Sequence, residues 1–309
     1  MKEVRTKFLG GMVGCALGDA IGELAFSYPY KEGLCKKLEG IEKLSYTDDT
    51  AMSIGLAESI IKTGCLDQQD LGETFKYNFL KEPWRGYASG PPRVFSMVEQ
   101  HGITYTEAAR ALFGGTGSFG NGAAMRVVSL GLFFHNSDDL YEKACASASV
   151  THSHPVGKDG TAIQAKAISL LVELDPAETF PVDFFIDTLI DFSRTSEIKE
   201  KMLLVKELIC SNVQPSSAAE QIGRTVAVHE SMPFAVYSFL RHPKSFEDCL
   251  FCAVLNGGDR DTLGAMACAA SGAYLGIESI PRLWIGKLEN LSYIQDLASR
   301  LSEIKTISC

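Results

Sequence analysis

Apolar residues recur at three- and four-residue spacings along most of the chain. "TAMSIGLAESIIK" (50–62) keeps that spacing after a Thr/Asp start and predicts an amphipathic helix. "TKFLGGMVGCALGDAIGEL" (6–24) is apolar or small on every side, which suits a helix buried all round. Helical spacing continues in "TYTEAARALF", "DDLYEKACASASV", "GTAIQAKAISLLVEL", "VDFFIDTLIDFSR", "IKEKMLLVKELIC", "SAAEQIGRTVAVHESMPFAVYSFLR", "FEDCLFCAVLN" and "TLGAMACAASGAYLG". Strict alternation bounded by turns is nearly absent. The breaks fall at "KEPWRGYASGPP", "GGTGSFGNG" and "SNVQPSS", and no low-complexity linker divides the chain. The pattern predicts an all-α fold, with residues 1–309 as a single domain. Small side chains in the first and last long helices would let their backbones approach closely at the centre and bring the residues at their ends together.

Charge and composition narrow the partners. A formal net charge of −9 argues against a nucleic-acid or anionic-membrane partner, because phosphate binding needs a basic face. No uninterrupted apolar run of about 18 residues predicts a membrane span. The N-terminal stretch, with Lys2, Arg5 and Lys7 ahead of apolar residues, has the outline of a signal peptide; it is glycine-rich and soon reaches Asp19, so the expectation is a cytoplasmic protein. The nine cysteines are scattered, and Cys249 and Cys252 form a lone CxxC in an apolar run. They read as reduced core thiols rather than as zinc ligands or disulfides.

The chemistry concentrates in two places. "SYTDDTAMS" sets Asp48 and Asp49 between Thr47 and Thr50, just ahead of an apolar helix. "NGGDRDTLGAM" repeats the arrangement near the other end of the chain, with Asp259, Asp261 and Thr262. Either segment alone is an ordinary helix cap, since Asp or Thr there satisfies orphan N–H groups and complements the dipole. Two of them, each beside a small-residue helix, suggest two halves of one metal site. Carboxylate and hydroxyl oxygens without His or Cys suit a hard cation such as Mg²⁺ or Mn²⁺.

"GTGSFG" (115–120) matches GxGxxG letter for letter. It follows a helical pattern rather than a strand, and no βαβ unit surrounds it, so a dinucleotide fold is not indicated. Glycines still allow a backbone to approach a phosphate, and Phe113 and Phe119 flank the loop with rings suited to a base. The same residues would also serve a tight interhelical loop packed by two phenylalanines.

Taken together and in order, these segments resemble the ADP-ribosylglycohydrolase family nearly end to end. "GCALGDAIGE" resembles its opening GDAxG helix, "YTDDTAM" its first metal motif, "GYASG" a substrate-loop segment, and "FGGTGSFGNGAAMR" its ADP-ribose loop. "THSHP" is similar to its TH segment and "NGGDRDTLGAMACAASGAYLG" to its closing metal motif. Among the branches, the likeness is greatest to the group acting on serine-linked and O-acetyl ADP-ribose, then to the dinitrogenase-reductase-activating branch.

The resemblance implies an all-α orthogonal helical bundle and a centre of two Mg²⁺, with Mn²⁺ as the alternative ion, held by Thr47, Asp48, Asp49, Asp259, Asp261 and Thr262. It implies that Gly117, Ser118, Gly120, Asn121 and Gly122 hold the diphosphate and nearby ribose. Gly90 belongs to the substrate loop, Phe113 and Phe119 sandwich adenine, and His152 lies near the distal ribose. His152 has a competing reading as a structural histidine, and His154 is read as structural. The implied activity is Mg-dependent hydrolysis of the α-glycosidic bond at the distal ribose of an ADP-ribosyl group, releasing ADP-ribose from a modified protein side chain or small-molecule conjugate. Glu23, Asp48, Asp49 and Asp261 are its candidate catalytic groups. The expected partner is an ADP-ribosylated protein, with the chain itself a monomer or small homo-oligomer.

Two departures keep other readings open. Phe26 stands where many family members carry a glutamate, and Glu23 is the carboxylate that would replace it. Arg260, between two ligand aspartates, would contact phosphate or the opposing carboxylates and compete for the metal's charge. A catalytically impaired paralogue that binds ADP-ribose or is structural, and a metal-dependent phosphohydrolase, are the alternatives.

Overall fold

A computed structural model describes residues 2–308, with side chains placed for 4–305. The described residues form helices and no named strand. In chain order these are α1 (Lys2–Ser27), α2 (Lys31–Gly40), α3 (Asp48–Thr63), α4 (Gln68–Lys81), α5 (Gly90–His101), α6 (Tyr105–Gly115), α7 (Val128–Phe133), α8 (Leu140–Ser149) and α9 (Pro155–Glu173). They continue with α10 (Val182–Phe192), α11 (Ser196–Cys210), α12 (Pro215–Ile222), α13 (Val228–Arg241), α14 (Phe246–Val254), α15 (Arg260–Leu275), α16 (Arg282–Ile285) and α17 (Leu291–Ser308). One connected hydrophobic core runs from Phe8 in α1 to Leu301 in α17. The all-helical expectation therefore holds.

The centre is the antiparallel pair α1 and α15. A Cβ on Gly18 would fall on the carbonyl oxygen of Gly264, and one on Gly264 would fall on that of Gly18. Gly22 is likewise pressed against the backbone of Arg260 and Asp261. Only glycine permits this approach, and it carries the end of α1 to the start of α15. The stretch Val4–Ser27 is long and apolar enough to cross a membrane, yet 83% of its most apolar 18-residue segment is buried inside the protein. It is an interior helix, which explains its lack of a polar face.

Several elements depart from the sequence pattern. The run 217–241, expected as one helix, breaks at Gly223, whose φ of +94° is left-handed. Beyond the break, the Glu230 carboxylate accepts from the Thr225 N–H (3.1 Å) and hydroxyl (2.7 Å) and fixes the turn. The prolines of "SGPP" open α5 rather than ending an element, because the first helical turn needs no N–H from them. Helices α2 and α4 were not signalled, and each buries only two or three residues. Of the described cysteines all are free; Cys15, Cys249, Cys252 and Cys268 are buried, but Cys65 and Cys210 are exposed and are not core thiols. Cys309 lies outside the described residues.

Candidate active site

Three helix ends meet where α1 and α15 cross. The start of α3 is fixed from below by Asp19, a fully buried carboxylate of α1. Asp19 accepts from the Thr47 N–H (3.0 Å) and hydroxyl (2.8 Å) and from the Thr50 N–H (3.0 Å) and hydroxyl (2.5 Å). An anion at a helix N-terminus is favoured by the dipole and by the orphan donors there. Thr47 is the side-chain cap, accepting weakly from the Asp49 N–H at 3.4 Å.

Asp48 and Asp49 are therefore not caps. Asp49 is 2% exposed, and its Oδ1 has no hydrogen-bond partner. Its Oδ2 is approached by the hydroxyls of Thr47 (3.3 Å) and, 213 positions away, Thr262 (3.5 Å). Asp259 stands at the cap position of α15, yet its side chain makes no cap bond; it accepts from the Asn121 side-chain amide at 2.6 Å. Among the described residues Asp261 bonds only the N–H of its neighbour Thr262, at 2.9 Å. Capping alone explains neither segment.

The electrostatics follow from that geometry. Burial, then the neighbouring aspartates, pushes Asp48 up to about 7 and Asp261 up to about 8. Asp49 is held well above the usual carboxylate range for the same reasons, and burial lifts Asp19 to about 6 against its hydrogen bonds. Crowded carboxylates of this kind ask for a cation. The orphaned Asp49 oxygen and the oxygen-only surroundings fit a hard divalent ion. The hydroxyls of Thr47 and Thr262 also face the Asp49 carboxylate, and among the described residues no three His, Cys, Asp or Glu side chains are grouped closely enough to hold an ion by themselves.

A cavity of about 300 Å³ opens from these carboxylates. Asp48, Asp49, Asp259, Asp261 and Thr262 form one wall. Gly90, Phe113, Ser118, Gly120, Asn121, Gly122 and His152, drawn from three separate stretches of sequence, form the others. The glycine-rich loop follows a break in α6: Leu112 turns extended, and Phe113 takes a left-handed φ of +52°. The loop is pinned by the Asn121 N–H to Val226 O (2.9 Å) and the Gly120 N–H to Ser118 Oγ (3.1 Å). A Cβ on Gly122 would meet the His152 ring. Burial and then Arg126 push His152 down to about 3, so the ring is neutral at ordinary pH, with its Nδ1 2.8 Å from the Thr151 hydroxyl.

The family model for ADP-ribosylglycohydrolase matches residues 1–307. The chain belongs to the ADP-ribosylglycohydrolase family. It is 33% identical to "ADP-ribosylhydrolase ARH3" of Danio rerio, covering 97% of this chain and 90% of that one. The protein of the same name from Xenopus tropicalis is 30% identical, with 97% and 95% covered. The "ADP-ribosyl-[dinitrogen reductase] glycohydrolase" of Rhodospirillum rubrum is 27% identical over 93% of this chain and 91% of its own. A solved structure titled "ADP-ribosylglycohydrolase-related protein complex" shares the fold, with a TM-score of 0.74, 22% identity, and 99% and 100% of the two chains covered.

Within this ADP-ribosylglycohydrolase, some expected site residues lie apart from the 300 Å³ cavity. Thr47 and Glu23 line a larger neighbouring cavity with Asp48 and Asp261. Gly117 and Phe119 line neither. Gly117, with φ +75°, backs onto Ser153 and His154, while the exposed Phe119 ring lies 5.4 Å from His154 and 6.1 Å from His229. Of the two rings expected around a base, only Phe113 stands on the cavity wall. Arg260 does not enter the carboxylate cluster: its guanidinium donates to Val254 O at the end of α14. Its long stem carries the charge away from the aspartates beside it in sequence.

Sequence reading missed two supports in this family member. Asp19 is one. The other is a buried pair, Arg85 and Glu289, beneath the segment leading into α3. Glu289 accepts from the Tyr46 N–H (3.0 Å) and pairs with Lys43 (2.7 Å), while Arg85 donates to Tyr46 O (3.0 Å) and lies 4.1 Å from the Tyr46 ring centre. Nothing in local spacing joins position 85 to 289. Glu289→Ala removes one of two carboxylates from the buried Arg85 guanidinium, which keeps Glu82 at 2.9 Å, and also strips the acceptor from the Tyr46 N–H; it is expected to cost about 2 kcal/mol in urea unfolding, with Glu289→Gln costing less.

Proposed function

We propose that this protein is a divalent-cation-dependent hydrolase that cleaves the α-glycosidic bond at the distal ribose of ADP-ribosyl groups and releases ADP-ribose. The observation carrying this reading is the shared wall: a buried carboxylate cluster with an orphaned Asp49 oxygen forms one side of the cavity bounded by the glycine-rich loop. Thr47, Asp48, Asp49, Asp259, Asp261 and Thr262 would hold two Mg²⁺, or Mn²⁺. When bound, such ions supply positive charge that orients the ribose hydroxyls and offsets charge developing in the reaction.

The chain's own groups do the rest. The loop backbone from Ser118 to Gly122 would cradle the diphosphate, and Phe113 would take a face of the base. His152, neutral and hydrogen-bonded, shapes the wall without carrying charge. In this reading Asp48, which borders both cavities, would take a proton from the attacking water, and Glu23 or a metal-site aspartate would give one to the departing oxygen or nitrogen. Binding the ADP portion would position the sugar rather than alter the bond. Arg260's orientation removes one motive for reading the chain as an impaired paralogue.

The test is a panel of ADP-ribosyl conjugates (serine, arginine, acetyl ester, α-NAD) assayed with Mg²⁺ and with EDTA. ADP-ribose released only with the metal supports the proposal; AMP as product, or release that EDTA leaves untouched, refutes it. Phe113→Ala should weaken ADP-ribose binding about tenfold in titration calorimetry, the usual scale for losing one ring from a base, while Phe119→Ala should change it little.

A further inference from the structure

Arg126, between the glycine-rich loop and α7, is the largest fully buried side chain among the described residues. Its guanidinium donates to Ser147 O at 3.2 Å and meets Met52 Sδ at 3.8 Å, its Nε has no hydrogen-bond partner, and no described carboxylate forms an ion pair with it. The Phe75 ring centre lies 4.5 Å away. Arg85, the other buried guanidinium near the site, by contrast holds two carboxylates. A buried charge without a partner is strongly disfavoured unless a field of opposite sign offsets it. We propose that Arg126 is a fixed counter-cation behind the carboxylate cluster and that it sets how tightly the cluster holds divalent ions. The inference rests on the divalent-cation reading above and deepens it with a residue that touches neither ion nor substrate.

The offsetting field comes from the start of α3. Met52 follows Asp48 by four residues and Asp49 by three, so the sulfur that the guanidinium meets stands on the same face of the helix, one turn on. All three residues line the cavity of about 300 Å³, and Arg126 does not. Its charge therefore acts on the carboxylates through packed side chains rather than through water, where salt would screen it. Burial pushes Arg126 down to about 9, with Asp48 pulling the other way, so the guanidinium keeps its charge at neutral pH.

A permanent positive charge in this place has two consequences. In the metal-free chain it offsets part of the repulsion among Asp48, Asp49, Asp259 and Asp261. Towards divalent ions it is repulsive, so the cluster binds them less tightly than its carboxylates alone would. The plainer reading is a bolt joining α3, α4 and α8 through Met52, Phe75 and Ser147. The two readings differ in sign. Removing a bolt loosens the ligands and weakens metal binding, whereas removing a counter-cation strengthens it.

The experiment titrates the metal-free protein with Mg²⁺, and separately with Mn²⁺, in a calorimeter. Arg126→Met keeps an apolar stem and drops the charge; it should bind Mg²⁺ about tenfold more tightly than the parent, the scale for one charge acting on a divalent ion through a partly polar interior. Arg126→Gln should shift the same way. Arg126→Lys keeps the charge while losing the guanidinium's contacts, and should stay within about threefold of the parent. Phe75→Leu disturbs the packing and spares the charge, so it should not tighten binding. Unchanged or weaker Mg²⁺ binding in the Met and Gln variants would overturn the proposal. If those variants are unfolded without metal, Mg²⁺ should refold them by restoring positive charge; chains that stay unfolded in saturating Mg²⁺ would make Arg126 a bolt and also overturn it. A parent protein that binds neither ion would instead sink the divalent-cation reading, and this inference with it.

Discussion

Asp49→Ala is expected to lower Mg²⁺-dependent release of ADP-ribose by about 10³-fold or more, because it removes a buried oxygen with no protein partner to replace. The same substitution should abolish the rise in melting temperature that Mg²⁺ gives the parent protein. Without metal it should have the opposite effect on stability. In the folded, metal-free chain Asp48 sits near 7 and Asp261 near 8, while both would titrate near 4 when unfolded. Groups raised on folding contribute stability that is fully present below the unfolded value and is lost as pH climbs through the folded one. Metal-free melting temperature should therefore fall from about pH 4 to pH 8, Mg²⁺ should flatten that slope, and Asp49→Asn should reduce it. A metal-free profile that rises with pH would show that the carboxylates do not crowd one another as described.

Asp19→Ala should be the most damaging change to stability at the site. It strips the acceptor from two backbone N–H groups and two hydroxyls at the buried start of α3, at a cost of about 3 kcal/mol or more in denaturant unfolding. Where the variant still folds, its Mg²⁺ affinity should fall as well, because Thr47, Asp48 and Asp49 lose the group that sets their backbone. Asp19→Asn keeps an acceptor but brings an amide against donors, so it should fall between the two. Unchanged stability together with unchanged Mg²⁺ affinity in Asp19→Ala would remove Asp19 from the account of the site.

The two aspartate segments were readable because each combines oxygen donors with a helix start, and because one repeats the other. Their meeting was readable too, from small residues in the two helices that adjoin them. Asp19 was not. A lone aspartate in an otherwise apolar helix has no period and no neighbour to announce that it reaches Thr47 and Thr50. Arg85 and Glu289 were hidden for the same reason, since a pair so distant in sequence leaves no local trace. Arg260 misled because adjacency in a helical turn fixes where a Cβ starts and says little about where a long side chain ends. Phe119 misled likewise: two rings flanking a loop need not face the same way once Phe113 adopts its left-handed turn.

The antiparallel embrace of α1 and α15 also has a history to it, in the order in which the chain is made. α1, buried on nearly every side in the folded protein, leaves the ribosome long before the glycine seam that receives it, which is not synthesised until Arg260–Leu275. Closing so long a loop carries only a slowly growing entropic cost, but it cannot occur early. Through most of translation a sticky helix must wait, shielded by partial collapse or by chaperones, and fragments lacking the last helices should aggregate rather than fold.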